Sequence, residues 1–354
     1  MPYVLAQSGA VAFFVQFAVL GGVVWVLHLL VGEVALRTKK SQRLIGYGDT
    51  YLGLKGKVLF TITTIFSVVG ALLAYIVIGG KFLHTFLAPI DGLSEIAASF
   101  IFWAILSIFI IRGIQTISKA ELIMNAALFG AVALILYITV PEFDSSNIVL
   151  FGEASFLLPF GVLLFAFTGW NAIPEVAELF KGKDERKHLD NIISWSTLVT
   201  LLLYGAFAVA IVGVTGGGTS EDALSSLSLV FGEKITALGA FFGLMAVAAS
   251  YLVLGNYLKN SLRHDFGMWY WCSAAIAIVT PMALFVLGAR DFIPILGIVG
   301  GVAVALEGMG ILFLHRAAKQ KSERDPEYSV RLPKILLWSF VLILGIGAIL
   351  EIAK

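Results

Sequence analysis

Runs of about 20 uncharged or nearly uncharged residues, the length that crosses a bilayer as a helix, recur along the whole chain. They fall at about 11–36, 58–83, 96–112, 120–140, 157–180, 192–214, 234–258, 270–288, 292–314 and 335–353, with short polar connections between them. Inside hydrocarbon the backbone pairs its N–H and C=O groups without water, so each run is read as a helix. The pattern predicts an all-α integral membrane protein with ten complete spans in one domain over 1–354. Ahead of the first run lies Met1–Ser8, apolar but too short to cross, closed off by Ser8-Gly9.

Hydrophobic residues fill 59% of the 354 positions and charged residues 13%, against about half apolar and a quarter charged in soluble domains. The lipid bilayer is therefore the solvent to reason with. A formal charge of +1, with no basic and polar groove-reading surface, gives no reason to expect a nucleic-acid partner. The single cysteine, Cys272, excludes an internal disulfide and a cysteine-based zinc site. No charge precedes Glu33, so the basic region of a secretory signal is missing.

Charge does decide orientation. Twenty of the 24 basic residues fall in alternate connections: Arg37–Lys57, Arg112–Lys119, Lys181–Lys187, Lys259–Arg263 and Arg316–Lys334. The other connections hold only Lys81, Lys234 and Arg290, and Lys354 ends the chain. The positive-inside rule places the first set in the cytoplasm. A cell-membrane protein with its C-terminus outside is expected, and residue 1 then lies in the outer half of the membrane. A free amine near mid-bilayer costs about 2.5 kcal/mol or more. The expected repair is a missing upstream segment of roughly 10 to 20 residues, enough to complete a first span of which 1–8 is the remnant.

Transporters build substrate sites where helices break near the midplane, and the pointer is a Gly/Pro-interrupted span at matching places in two halves. Met1–Gln7 and Thr168–Val176 are two such places. Counting the remnant as span one, they lie five spans apart, and an odd repeat inserts the second half upside down. In Thr168–Pro174, Gly169 weakens a helix, Asn171 favours a turn, and Pro174 lacks an N–H and frees a carbonyl. Freed backbone groups can be met by a substrate carboxylate, amine or ion; the other reading is a proline kink satisfied by neighbouring helices.

Polar residues within spans add candidates. Glu175 and Glu178 share a face one turn below the break, Glu175 near enough to act as a proton or amine partner and Glu178 suited to Lys181 or Lys183. Glu33 is expected to pair with Arg37 four residues on. Glu307 lies deeper with no charge nearby in sequence, a candidate for coupling or for an inner-gate pair. His28 and His84 read as interfacial, Asn125 and Ser67 as interhelical hydrogen bonders. Ser250 offers one hydroxyl where a sodium site needs several oxygens, which favours protons as the coupling ion. No HExxH, GxSxG, Gly-Lys-Ser/Thr or Asp/His cluster occurs, so no metal, no cofactor and no enzyme activity is implied.

Four stretches carry a family resemblance: Pro2-Tyr3-Val4-Leu5-Ala6-Gln7-Ser8-Gly9, Val31-Gly32-Glu33-Val34, Gly113–Glu121, and Phe167-Thr168-Gly169-Trp170-Asn171-Ala172-Ile173-Pro174-Glu175. In span order along the whole chain they resemble the amino acid/auxin permease family, within the amino acid–polyamine–organocation superfamily, and most closely its bacterial tyrosine/tryptophan-permease-like branch. The resemblance implies a leucine-transporter-like fold of two inverted five-helix repeats, here 1–140 and 157–314, with an extra helix at 335–353. It implies that Pro2 and Tyr3 follow the span-one break and that Thr168, Gly169, Trp170 and Asn171 line the site from span six. Ser250 falls where sodium-coupled relatives carry a hydroxyl pair, with Ala249 in place of its first member. The lysine that some proton-coupled relatives carry in mid span five is missing, since Lys119 is at that span's edge.

The function expected is secondary active transport of a neutral or aromatic amino acid, coupled to protons. A metal-ion carrier of the same superfamily would carry Asp-Pro-Gly-Asn and Met-Pro-His breaks, which do not occur. A channel or non-transporting membrane subunit is the third reading. If the front half of span one is needed, the polypeptide beginning at Met1 shows no amino-acid uptake in proteoliposomes and upstream codons restore it; robust uptake by the short form refutes the expectation.

Overall fold

A computed structural model describes residues 1–40, 42–87, 92–112, 129–130, 132–180 and 182–353, and the side chains of all of these but 183, 233–236 and 264. The helices are, in order, α1 (Pro2–Arg37), α2 (Leu44–Leu52), α3 (Leu54–Phe86), α4 (Glu95–Arg112), α5 (Val132–Glu142), α6 (Leu158–Phe167), α7 (Ile173–Leu179), α8 (Lys183–Arg186), α9 (Leu189–Thr215), α10 (Ser228–Phe231), α11 (Glu233–Asp265), α12 (Tyr270–Val286), α13 (Phe292–Ile298), α14 (Ala305–Gln320) and α15 (Lys334–Ile352). Among the described residues, eight helical stretches are long and apolar enough to cross a membrane, and α5 and α12 are shorter apolar helices. Residues 120–128 and 131 of the span expected at 120–140 lie outside the described residues, as do Gly113–Glu121, Lys119 and Asn125.

The chain forms two compact units. One comprises Met1–Val11, Val68–Ser155 and Gly205–Leu296; the other comprises Ala12–Ser67, Phe156–Tyr204 and Gly297–Lys354.

In the first unit the helix begun at Pro2 turns sharply at Gly9, where φ is 82° and ψ 164°, a region open to glycine almost alone. The turn frees backbone groups, and the segment 149–154 pairs with them. Ala10 and Val11 donate their N–H groups to the carbonyls of Val149 and Leu150 at 2.9 and 3.1 Å, while Gly152 and Ala154 donate to Ser8 and Gln7 at 3.2 and 3.0 Å. A Cβ on Gly9 would stand 2.5 to 2.8 Å from the backbone of that segment. Elsewhere in this unit α3 meets the connection before α10, where Lys81 bridges Asp222 at 2.8 Å. Burial pushes the Asp222 carboxyl up, but Lys81, the hydroxyls of Ser220 and Ser225 and the Ser225 N–H outweigh it and hold it below the usual carboxylate range.

In the second unit α1 buries one face, Leu20, Val24, Leu27, Val31 and Val34, at helical spacing. Helix α6 lies backbone to backbone on a π-helical stretch, Val299–Val304, that joins α13 to α14. The approach depends on Gly161 and Gly300: a Cβ on Gly300 would reach 1.9 Å from the Gly161 carbonyl oxygen. Small residues at such crossings let membrane helices approach closely.

Two outcomes follow. Gly9→Ala combines a forbidden conformation, about 1–3 kcal/mol, with a backbone clash, whereas Gly92→Ala has a similar φ of 88° and open space. Thermal unfolding in detergent should show the first clearly lower than the second, and equal midpoints would contradict the pairing described. Asp222→Asn should cost about 1–3 kcal/mol at pH 7. Because the folded carboxyl is held low, its contribution is complete above about pH 4 and disappears as pH falls through the lowered value, so the gap to wild type should narrow on acidification below about pH 4; a gap unchanged with pH would be the contrary result.

Candidate functional site

Helix α6 ends at Phe167. Thr168 is extended, at φ −65° and ψ 123°, and Gly169 takes φ −147° and ψ 0°; a single 3-10 turn, Trp170–Ala172, then leads into α7. Pro174 sits in the first turn of α7, where a missing N–H costs nothing. The span is therefore broken in the stretch where Gly, Asn and Pro crowd together. Thr168 closes the end of α6, its N–H donating to Phe165 O at 3.2 Å and its hydroxyl to Leu164 O at 2.8 Å.

The Gly169 N–H donates to His28 Nε2 at 3.2 Å, and His28 Nδ1 hydrogen-bonds Thr197 Oγ1 at 3.0 Å. A backbone N–H can only donate, so Nε2 accepts and the ring proton of a neutral imidazole sits on Nδ1, facing Thr197. His28 is buried, not interfacial as expected from its place in the run, and it pairs the backbone group that the break exposes.

On the next residue the indole of Trp170 is wholly buried, and its Nε1–H donates to Glu307 Oε2 at 3.1 Å. Thr64 Oγ1 donates to Glu307 Oε1 at 2.6 Å. Glu307 is itself 0% exposed, on the first turn of α14 directly after the π-helical stretch, and both of these donors are neutral. Among the described residues no cation bridges it. Asn171 places its Oδ1 in a buried position, and among the described residues it has no hydrogen-bond partner.

A cavity of about 250 Å³ lies beside the break, walled by Thr168, Gly169 and Ala172 on one side, by Thr197 and Tyr204 of α9 on another, and by His28. Its wall is mostly apolar with a few hydroxyls, the usual composition of a small-molecule site.

The structure thus brings Thr168, Gly169, Trp170, Asn171 and Glu307 into one region. Glu175, in the first turn of α7, stands apart from this group, about half exposed and bridged to Arg43 at 3.3 Å. Glu178 also meets Arg43, at 2.5 Å; Lys181 and the Lys183 side chain, the partners expected for it, lie outside the described residues. Glu33 pairs with Arg37 at 2.7 Å as the spacing implies. Pro2, buried, and Tyr3, partly exposed, start α1 in the first unit, and Ser250 of the same unit donates its hydroxyl to Ala246 O in its own helix at 3.2 Å. His28, Thr64 and Thr197 were missed. The signal available was weak: one histidine in an apolar run and a cluster of threonines at 61, 63 and 64.

His28→Leu should leave the Gly169 N–H unpaired, costing about 1–3 kcal/mol, visible as a lower unfolding midpoint, and His28→Gln, which keeps an acceptor, should recover part of it. Equal midpoints for all three forms would remove His28 from this role.

The tryptophan/tyrosine permease family matches residues 1–352 of the chain. Glutamine transporter 2 of Aliivibrio fischeri (strain ATCC 700601 / ES114) is 21% identical over 319 residues, covering 86% of this chain and 81% of that protein. Among solved structures, MhsT in complex with L-phenylalanine is similar with a TM-score of 0.73 at 14% identity, over 99% of this chain and 93% of that one. Mhp1, a nucleobase-cation-symport-1 family transporter in a closed conformation with bromovinylhydantoin bound, gives 0.68 at 13% identity, over 99% and 86%. At these identities the likeness concerns the fold, which is all-helical and leucine-transporter-like.

Proposed function

The chain belongs to the tryptophan/tyrosine permease family and is a multi-pass membrane transporter, and on that premise we propose that it carries a neutral or aromatic amino acid by proton-coupled symport. The observation that carries this reading is the break at Thr168–Ala172, with unpaired Asn171 Oδ1 beside it and Glu307 bonded to the residue between. The two helix ends that meet at the break, beside a cavity of about 250 Å³, suit a small zwitterion, whose carboxylate and amine need opposite partners close together. A glutamine carrier among the relatives and L-phenylalanine in a structure of the same fold support an amino acid as the substrate class.

Glu307 is the residue we assign to the proton. A charge on a carboxylate sealed in protein at membrane depth would need an opposite charge or a proton, and its partners here are a hydroxyl and an indole. Through Trp170 the group is tied to the break, so a change in its charge acts directly on the geometry that binds substrate. Sodium finds less support, since Ser250 spends its hydroxyl on its own helix. Glu175 is too exposed, and too firmly paired with Arg43, to carry the proton across. In the same proposal the repeats run over 1–140 and 157–314, the helix at 335–353 is an addition to them, and the C-terminus lies outside the cell membrane.

Both the Met1 form and one with upstream codons can be reconstituted. In whichever is active, an inward pH gradient should drive accumulation of labelled tryptophan, tyrosine, phenylalanine or glutamine, and a sodium gradient should not. Glu307→Gln should abolish the gradient-driven accumulation while sparing substrate exchange at equal pH. Unchanged accumulation by Glu307→Gln would take the proton away from that residue, and no amino-acid uptake by any form would remove the reading itself.

A further inference from the structure

A second cavity, about 170 Å³, opens at the inner ends of the second unit. Its wall is drawn from the end of α1 and the segment leading to α2, from Pro174, Ala177 and Glu178 of α7, from Arg186 of α8, and from Arg324 beyond α14. These belong to three of the connections that the positive-inside rule assigns to the cytoplasm.

Four cations, Lys39, Lys40, Arg186 and Arg324, line it against one carboxylate, Glu178. The acids around it are engaged. Glu178 and Glu175 are bridged by Arg43, Glu327 is bridged by Arg324, and Glu323 Oε2 accepts the Lys39 backbone N–H at 2.7 Å. Arg186 gives its Nε–H to the Phe180 carbonyl at 2.9 Å. Among the described residues, the ammonium groups of Lys39 and Lys40 and the guanidinium of Arg186 have no carboxylate within bridging distance. Tyr47, 3% exposed, also forms part of the wall, and its hydroxyl bonds to no described residue.

A pocket with surplus positive charge and an unbonded hydroxyl matches an anion with several acceptor oxygens, and the surrounding inner leaflet is rich in such groups. We propose that this pocket binds a phosphate-bearing anion, either the headgroup of an inner-leaflet phospholipid or free phosphate. Because its wall includes the inner half of the broken span, a bound phosphate would draw the inner ends of α1 and α7 and the segment after α14 onto one ligand. The site is separate from the cavity at the break and does not depend on which substrate is carried.

The test uses the whole protein in nanodiscs of phosphatidylcholine alone, of phosphatidylcholine doped with phosphatidylglycerol, and of phosphatidylcholine with inorganic phosphate at chloride-matched ionic strength. The unfolding midpoint should rise saturably with at least one phosphate source. A rise with phosphatidylglycerol alone identifies a lipid, and a rise with inorganic phosphate identifies a site open to the free anion. Lys40→Gln with Arg186→Gln should remove the rise, Lys39→Gln alone should weaken the apparent affinity about fivefold, and Lys187→Gln, outside the pocket on the same face, should change nothing. The idea is overturned if neither source raises the midpoint, if the double variant or, should that misfold, Lys39→Gln responds like wild type, or if Lys187→Gln weakens the response as much as Lys39→Gln does.

Discussion

Backbone groups inside a bilayer have no water to turn to, and at three interruptions of helices among the described residues a specific partner is in place. At Gly9 the partner is another strand of main chain, with four hydrogen bonds exchanged between 7–11 and 149–154. At Gly169 it is an imidazole, His28, backed by Thr197. At Val299–Val304 the helix widens into a π-turn and packs on α6 through glycines, so its backbone pairs within itself while the neighbouring main chain comes close. The places where regular helix stops are therefore the places where distant parts of the sequence are forced together.

Two buried carboxylates show how partner sets divide structure from chemistry. Glu33 is surrounded by Arg37 at 2.7 Å, His315 at 2.8 Å, the Ser329 hydroxyl at 3.0 Å and the Val330 N–H at 2.6 Å. Its charge is fully met, and it ties α1 to α14 and to the segment after it. Glu307 lies on the same helix as His315, equally buried, yet its partners are a hydroxyl and an indole. A carboxylate bridged by an arginine and filled out by further donors is a fastening; one held only by neutral donors can change its protonation without breaking an ion pair. The contrast supports giving the proton to Glu307 and leaving Glu33 its structural role.

The ends of α1, α2 and α7 in the second unit follow the same logic at the surface. Arg43 gathers Glu175 and Glu178, Lys321 donates to the Tyr51 carbonyl at 3.0 Å, and Tyr328 donates to the Leu29 carbonyl at 2.7 Å. The connection after α14 thus fastens across the ends of α1 and α2. Basic residues do local bonding there, and those left over line the pocket proposed for phosphate.

Much of the architecture could be read from local pattern, because bilayer thickness sets span length and glycine, asparagine and proline act on the backbone where they stand. That is why the spans, the turn at Gly9 and the break at Thr168–Pro174 were legible, as was the Glu33–Arg37 pair at helical spacing. Partners distant in sequence were not. His28 meets Gly169 across 141 positions, Trp170 meets Glu307 across 137, and Thr64 meets Glu307 across 243. Nothing local distinguishes such a histidine or threonine from an interfacial one, and nothing local showed that Glu178 would find Arg43. Sequence alone determined where helices run and where they must break, through short-range backbone preferences and the solvent they cross. Only the tertiary structure decided which side chains satisfy the broken ends, since that depends on how the helices stack and not on any residue's neighbours in the chain.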